Sequence, residues 1–197
     1  MLRSIALFCA LFVCAMYFQA APALAEKRVA LVIGNGAYDN VSPLPNPTND
    51  AADMAETLTN LGFEVRQVAD LGKADMESEL ADFADTSAGA DIAVVFYAGH
   101  GMEVDRQNYL IPVDAKLDTD RRLRFETISL DDVLVSVEAV KGIRIVLLDA
   151  CRNNPFASTM KVASASRSIG RGLSRVEAPS GTLISFAAKE GRTADDG

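Results

Sequence analysis

The sequence predicts an α/β domain: a mostly parallel sheet with helices on both faces. Two observations carry this prediction. Residues 28–33, 91–98 and 143–148 are apolar runs without polar alternation, the pattern of strands buried on both faces. Stretches with apolar side chains at helical spacing separate these runs, and such alternation is the signature of parallel pairing through crossover helices. Parallel strands share one carboxyl edge, which is where ligands and chemistry gather in open α/β sheets.

The elements follow in chain order. Residues 28–33 form a first strand that ends at the turn Gly34-Asn35-Gly36. Three prolines in Ser42-Pro43-Leu44-Pro45-Asn46-Pro47 make a loop, because proline lacks the N–H that regular structure needs. A helix opens at Thr48 or Asn49, both good N-caps, with Ala51, Met54, Ala55, Leu58 and Leu61 as its apolar stripe and Gly62 as its stop. Residues 63–69 alternate as a second strand, and residues 73–84 form a helix with Met76, Leu80 and Phe83 on one side. The third strand, 91–98, is apolar throughout and therefore central. A hairpin pairing 102–104 with 109–111 follows, turning at Asp105-Arg106-Gln107-Asn108. Ser129 or Leu130 opens a helix to about Val140, and 143–148 is the fourth strand.

Residues 153–180 are rich in Ser, Ala, Gly and Arg with little periodicity and read as a long mobile loop. Residues 183–187 form a fifth short strand before the polar tail 191–197. The chain of about 170 residues after position 25 suits one domain with one sizeable core.

Residues 1–25 read as a signal peptide outside the fold. Arg3 gives a positive start, the stretch from Ile5 to Phe18 is apolar, and Ala23-Leu24-Ala25 is a small-residue cleavage site. The apolar stretch is short against the roughly 20 residues of a membrane span, although an uncleaved anchor is the alternative. The bulky residues before Cys14 argue against lipidation. The expected location is therefore outside the cytoplasm, periplasmic or secreted, with no membrane attachment after cleavage.

Removal of this segment takes away Arg3, Cys9 and Cys14. It leaves 18 basic against 27 acidic side chains, a net charge of −9. An acidic chain without a basic stripe is a poor partner for nucleic acid. One remaining cysteine excludes an internal disulfide. A buried inert thiol is the commonest state of free cysteine, so position has to decide whether Cys151 is reactive.

Position favours reactivity. His100 is the only histidine in the chain and follows the third strand in Phe96-Tyr97-Ala98-Gly99-His100-Gly101. Cys151 follows the fourth strand in Leu148-Asp149-Ala150-Cys151-Arg152. If the two strands are neighbours, about 4.8 Å apart, both residues meet at one edge. An imidazole beside a thiol takes its proton and activates it for acyl transfer. The N–H groups of Gly101 and Cys151 are candidate oxyanion donors.

These residues resemble the His-Gly and x-Ala-Cys-Arg signatures of the caspase-like cysteine peptidases, and the 51-residue spacing agrees. Gly34-Asn35-Gly36-Ala37-Tyr38, Leu44 and Asn49-Asp50-Ala51 are similar to the opening of the metacaspase and bacterial caspase-like (orthocaspase) branch. The resemblance covers residues 28–197. It implies the caspase–haemoglobinase fold, a large-subunit-like portion to about residue 160, a Cys151/His100 dyad and no cofactor for the acyl chemistry. It also implies that Asp50 and Asp149 floor the S1 pocket. Two carboxylates there attract a cation, so cleavage after Arg or Lys is expected, with Lys161, Arg167, Arg171 and Arg175 as self-cleavage candidates. Domains of this type continue with a sixth strand and further helices, so a C-terminal remainder is expected beyond Gly197. Calcium, which many metacaspases need, finds only the scattered Asp105, Asp114, Asp118 and Asp120, without EF-hand spacing.

Two other readings compete. One is a caspase-like domain that binds or scaffolds without catalysis, in which Cys151 is unreactive. The other is a nucleotide-binding α/β protein, resting on Gly34-Asn35-Gly36, which lacks the third glycine and a directly following helix.

Overall fold

A computed structural model describes residues 26–151, 155, 156, 159–161, 173, 174 and 176–187. The expected signal peptide, the tail 191–197 and the candidates Arg167, Arg171 and Arg175 lie outside the described residues. The described strands are β1 (Arg28–Gly34), β2 (Glu64–Ala69), β3 (Ile92–Val104), β4 (Gln107–Leu110), β5 (Ile128–Ser129), β6 (Ile143–Cys151) and β7 (Thr182–Phe186). The helices are α1 (Pro47–Asn60), α2 (Lys73–Ser87), α3 (Leu123–Glu126) and α4 (Leu130–Val135), with a 3-10 turn at Asp120–Arg122 before α3.

Five strands pair in parallel in the order β2-β1-β3-β6-β7, and β4 and β5 add to the far end of β3 as antiparallel strands. The apolar strands pack on both faces, as their sequences require. Ala30, Val32, Val94, Phe96 and Ala98 meet Ala51, Ala55 and Leu58 of α1 on one face. Leu31, Ile33, Val95, Tyr97, Val146 and Leu148 meet α2 and α4 on the other, through Met76, Leu80, Phe83, Leu130 and Val133. A third cluster, with Tyr38, Met102, Leu117, Leu123, Phe156 and Met160, supports the antiparallel extension.

Several boundaries differ from the sequence expectation, each for a local reason. Helix α1 opens at Pro47 rather than at Thr48 or Asn49: proline suits the first helical position because its missing N–H has no intrahelical partner there. Helix α4 stops at Val135, and the chain continues to Val140 through tighter i to i+3 hydrogen bonds, such as Glu138 N–H to Val135 C=O at 3.1 Å. The hairpin turn contracts from four residues to two. Asp105 and Arg106 take positive φ of 52° and 66°, and Gln107 and Asn108 pair within the strand.

The largest difference is β3, which runs on through Gly99-His100-Gly101 to Val104 instead of ending at Ala98. Its main chain finds new partners beyond Ala98, namely Cys151 of β6 and then Leu110 of β4. The segment 153–180, expected as a mobile loop, is anchored at its described points. Phe156, Met160 and Leu173 are buried. Lys161 forms a bridge with Thr119, and Ser174 is bonded to Asn108 on β4.

Candidate active site

The centre of the site is the last rung of the β3–β6 ladder, where the Cα partners are His100 and Cys151. His100 therefore sits within a strand rather than in a loop after one, and it is 6% exposed. Its N–H donates to the Tyr38 hydroxyl at 2.7 Å, and its C=O accepts from Tyr97 Oη at 2.8 Å and from Ile111 N–H at 3.1 Å. The imidazole lies against the Tyr38 ring, with centroids 4.5 Å apart and planes tilted by 49°. Its Nε2 is 3.2 Å from the Ser42 carbonyl oxygen. A carbonyl only accepts, so the neutral ring carries its hydrogen on Nε2 and its basic lone pair on Nδ1.

Glycine at position 99 is a steric requirement. A Cβ there would lie 2.6 Å from Tyr97 Oη and 2.7 Å from Tyr38 Oη. At Gly101, a Cβ would come within 3.0 Å of the Ala150 Cβ and 3.2 Å of Leu173 Cδ2, so β6 and the segment after it close over the His-Gly strand. The β4 ladder does not use the Gly101 N–H. The bond from Ile111 to His100 makes Gly101 and Leu110 a non-hydrogen-bonded pair, and strand alternation turns the Gly101 N–H toward β6.

Asp149 and Asp50 come to the same region by different routes. Gly34, Ala98 and Asp149 form one row across β1, β3 and β6, and register partners in a parallel sheet share a face. At Gly34 that face lies directly under Pro47 and Ala51 of α1. Asp50 stands between those two in the first turn of α1, away from the N-cap position, which is Asn46. The row from Gly34 to Asp149 spans two strand spacings, roughly 10 Å. Both carboxylates are partly buried at the carboxyl edge on the α1 side.

The other sequence candidates have structural surroundings. Lys161 donates its N–H to Asp118 C=O at 2.9 Å and accepts from Asp120 N–H at 3.2 Å, so its main chain is committed to the bridge. Asp114 accepts from Lys73 N–H at 3.0 Å and so caps α2 from another segment. Asp120 is buried, and Asp105 forms the hairpin turn. Among the described residues no group of three His, Cys, Asp or Glu side chains is arranged to hold a metal ion. Gly34-Asn35-Gly36 is explained by packing. Gly34 lies under α1, Asn35 is buried and bonds Leu71 N–H through Oδ1 at 3.0 Å, and the Gly36 and Ala37 N–H groups donate to Asp70. The nucleotide-loop reading has no role left to explain.

Tyr38, Tyr97 and Ser42 were not predicted as site residues. Tyr38 and Tyr97 stand within the motifs that carry the family resemblance, which is the sequence signal they had; Ser42 has none beyond its place in the proline loop.

Fold and register together define a mostly parallel α/β domain that pairs a histidine with a cysteine at its carboxyl edge. The chain belongs to the Caspase domain family, whose model it matches over residues 27–197. It is 30% identical over 145 residues to mucosa-associated lymphoid tissue lymphoma translocation protein 1 of Homo sapiens, covering 72% of this chain and 17% of that protein. It is 35% identical over 79 residues to caspase-1 of Felis catus, covering 39% of this chain and 19% of that one. The chain thus spans less than a fifth of either relative. A crystal structure of a Geobacter sulfurreducens protein superposes with a TM-score of 0.51 at 20% identity, over 64% of this chain and 50% of the other; it shares the fold. These matches establish the family, and the metacaspase branch rests on the motif resemblance alone.

Proposed function

We propose that the chain is a cysteine endopeptidase that cleaves after Arg or Lys with Cys151 as nucleophile and His100 as base. The observation that carries this reading is the register pair His100–Cys151 at the carboxyl end of the two central strands.

The chemistry follows from the tautomer. Nδ1 of His100 takes the Cys151 proton, and the thiolate attacks the scissile carbonyl to give a tetrahedral oxyanion. The Gly101 and Cys151 N–H groups are the proposed donors for that oxyanion; both face the neighbouring strand at the last rung of the β3–β6 ladder, so this rung has to open as substrate enters. Collapse returns the proton from the imidazolium to the leaving amine and leaves a thioester, and water, deprotonated by His100, releases the acid and restores the thiol. No metal or cofactor takes part in these steps.

Specificity rests on Asp50 and Asp149. A guanidinium about 4 Å from a carboxylate gains about 4 kcal/mol at an effective dielectric near 20, and an aspartate side chain would be repelled by a similar amount. The common face and edge of the two carboxylates support an acidic S1 pocket. The same preference makes Arg167, Arg171 and Arg175 the self-processing sites; cleavage at Lys161 would first require its bridge to Thr119 to open. Residues 1–25 direct the chain out of the cytoplasm.

The test is hydrolysis of peptide reporters with Arg, Lys or Asp at P1, by wild type and Cys151→Ala. Turnover of the Arg and Lys reporters, lost by about 10³-fold or more in Cys151→Ala, is expected. Equal rates in the two proteins would overturn the dyad, and preference for the Asp reporter would overturn the pocket.

A further inference from the structure

We infer that Tyr38 is a positioning residue for the base, and that one loop, residues 35–46, fixes both the main chain and the ring of His100. This inference rests on the His100–Cys151 reading.

The β1–β3 ladder ends at Gly34–Ala98, so β1 offers no residue opposite His100. The His100 N–H points to that vacated side, where a strand would otherwise accept it. The Tyr38 hydroxyl takes the strand's place at 2.7 Å. The network around it uses each group. Tyr97 Oη lies 2.8 Å from His100 O and 3.1 Å from Ile111 O, and the shorter contact takes its proton. Tyr38 Oη then directs its own proton to Ile111 O or to Tyr97 Oη, both at 3.3 Å. The Tyr38 hydroxyl thereby satisfies the His100 N–H inside a buried site, where an unmet group would cost about 1–3 kcal/mol, and the Tyr97 hydroxyl adds a second bond to a C=O that already accepts from Ile111 N–H.

The ring of Tyr38 also sets the plane of the imidazole. His100 is held on one side by this ring and at Nε2 by Ser42, four residues further along the same loop. The loop is itself pinned. Asp39 N–H donates to Val113 C=O at 2.9 Å, Leu44 N–H to Gly36 C=O at 3.0 Å, and the Gly36 and Ala37 N–H groups to Asp70 Oδ1, each at 2.8 Å. Displacing Tyr38 would therefore rotate the base rather than remove it. A misplacement of about 1 Å is enough to cost up to 10²-fold in rate.

A purely structural tyrosine would affect stability and leave turnover by the folded molecules unchanged. A positioning tyrosine lowers kcat and spares KM, because substrate does not touch it. The full chain is assayed with the Arg reporter and, separately, for alkylation of Cys151 by iodoacetamide at fixed pH, read by mass spectrometry of the Cys151 peptide. Tyr38→Phe should lower kcat about tenfold with KM within about twofold, and should slow alkylation in the direction that His100→Ala does. Tyr97→Phe should behave likewise, and the double variant should lose much less than the product of the two single losses, because both act through one network. Gly99→Ala, whose methyl would enter between the hydroxyls, reproduces the effect independently should Tyr38→Phe fail to fold. Wild-type kcat and alkylation in Tyr38→Phe, or fully multiplicative losses, would overturn the inference while leaving the dyad intact. Activity that survives Cys151→Ala would instead bring down the functional reading beneath it.

Discussion

Strands β3 and β6 run side by side for nine register pairs, yet they end in opposite ways. Past His100, β3 continues for four residues and turns back through Asp105–Arg106 into β4. Strand β6 has Cys151 as its last residue, and the chain beyond is next anchored by the buried Phe156. His100, the proposed base, is thus held mid-strand with both main-chain groups engaged, and Cys151, the proposed nucleophile, occupies a strand end. The two halves of the site are built for different tasks. The β3 half fixes a geometry, and the β6 half joins that geometry to Asp149, the carboxylate proposed for the pocket.

Substitutions on the β6 half test this contrast most strongly. Asp149→Ala should lower kcat/KM for the Arg reporter by about 10–100-fold, since losing one partner of a partly buried charge contact costs about 2 kcal/mol or more. Turnover of the remaining activity should keep its dependence on Cys151. An unchanged preference for Arg over Asp would remove Asp149 from the pocket. Phe156→Ala should destabilise the fold by about 3–5 kcal/mol, measured as a lower denaturant midpoint, because a side chain 1% exposed leaves a cavity behind.

Smaller effects belong to the β3 half. Asn108 on β4 donates to Ser174 C=O at 2.8 Å and accepts from Ser174 N–H at 2.7 Å, tying the two halves together. Asn108→Ala should cost about 1–3 kcal/mol through unmet buried groups, and a midpoint equal to wild type would show that this tie carries no load. The smallest effect concerns Glu126. Burial pushes its carboxyl up, but hydrogen bonds from Leu117 N–H, Arg122 and Lys116 N–H outweigh burial and hold it below the usual carboxylate range. A lowered folded-state value gives stability that is present above the unfolded carboxylate value and is lost as pH falls through the folded one. Glu126→Gln should cost about 1 kcal/mol near neutral pH and less as pH falls below the carboxylate range, read from unfolding midpoints across an acid titration.

The parallel strands were legible because burial on both faces leaves a plain record in sequence: Val94, Val95 and Phe96 sit in one run and Val146, Leu147 and Leu148 in another. His100 and Cys151 were legible because rare reactive residues stood at the ends of those runs. The continuation of β3 was not, since Gly99-His100-Gly101 carries the composition of a turn and becomes strand only through long-range partners on β6 and β4. The short elements Asp120–Arg122, α3 and β5 span too few residues to show a period. Tyr38 escaped for a related reason. Its role depends on where β1 stops relative to β3, a register fact that no local pattern records.

Gly34 carries a consequence beyond the turn that it opens. A methyl group there would meet the Pro47 carbonyl oxygen and lie 2.8 Å from the Ala51 Cβ, so the first turn of α1 rests on bare backbone. Asp50 rides on that turn, while Asp149 is fixed to the sheet two strands away. The separation of the two carboxylates is therefore set by the closeness of helix to sheet, and a single added carbon would act as a shim. Gly34→Ala would move Asp50 away from Asp149 without altering either carboxylate, so the proposed Arg/Lys selectivity would become a property of backbone clearance as much as of charge.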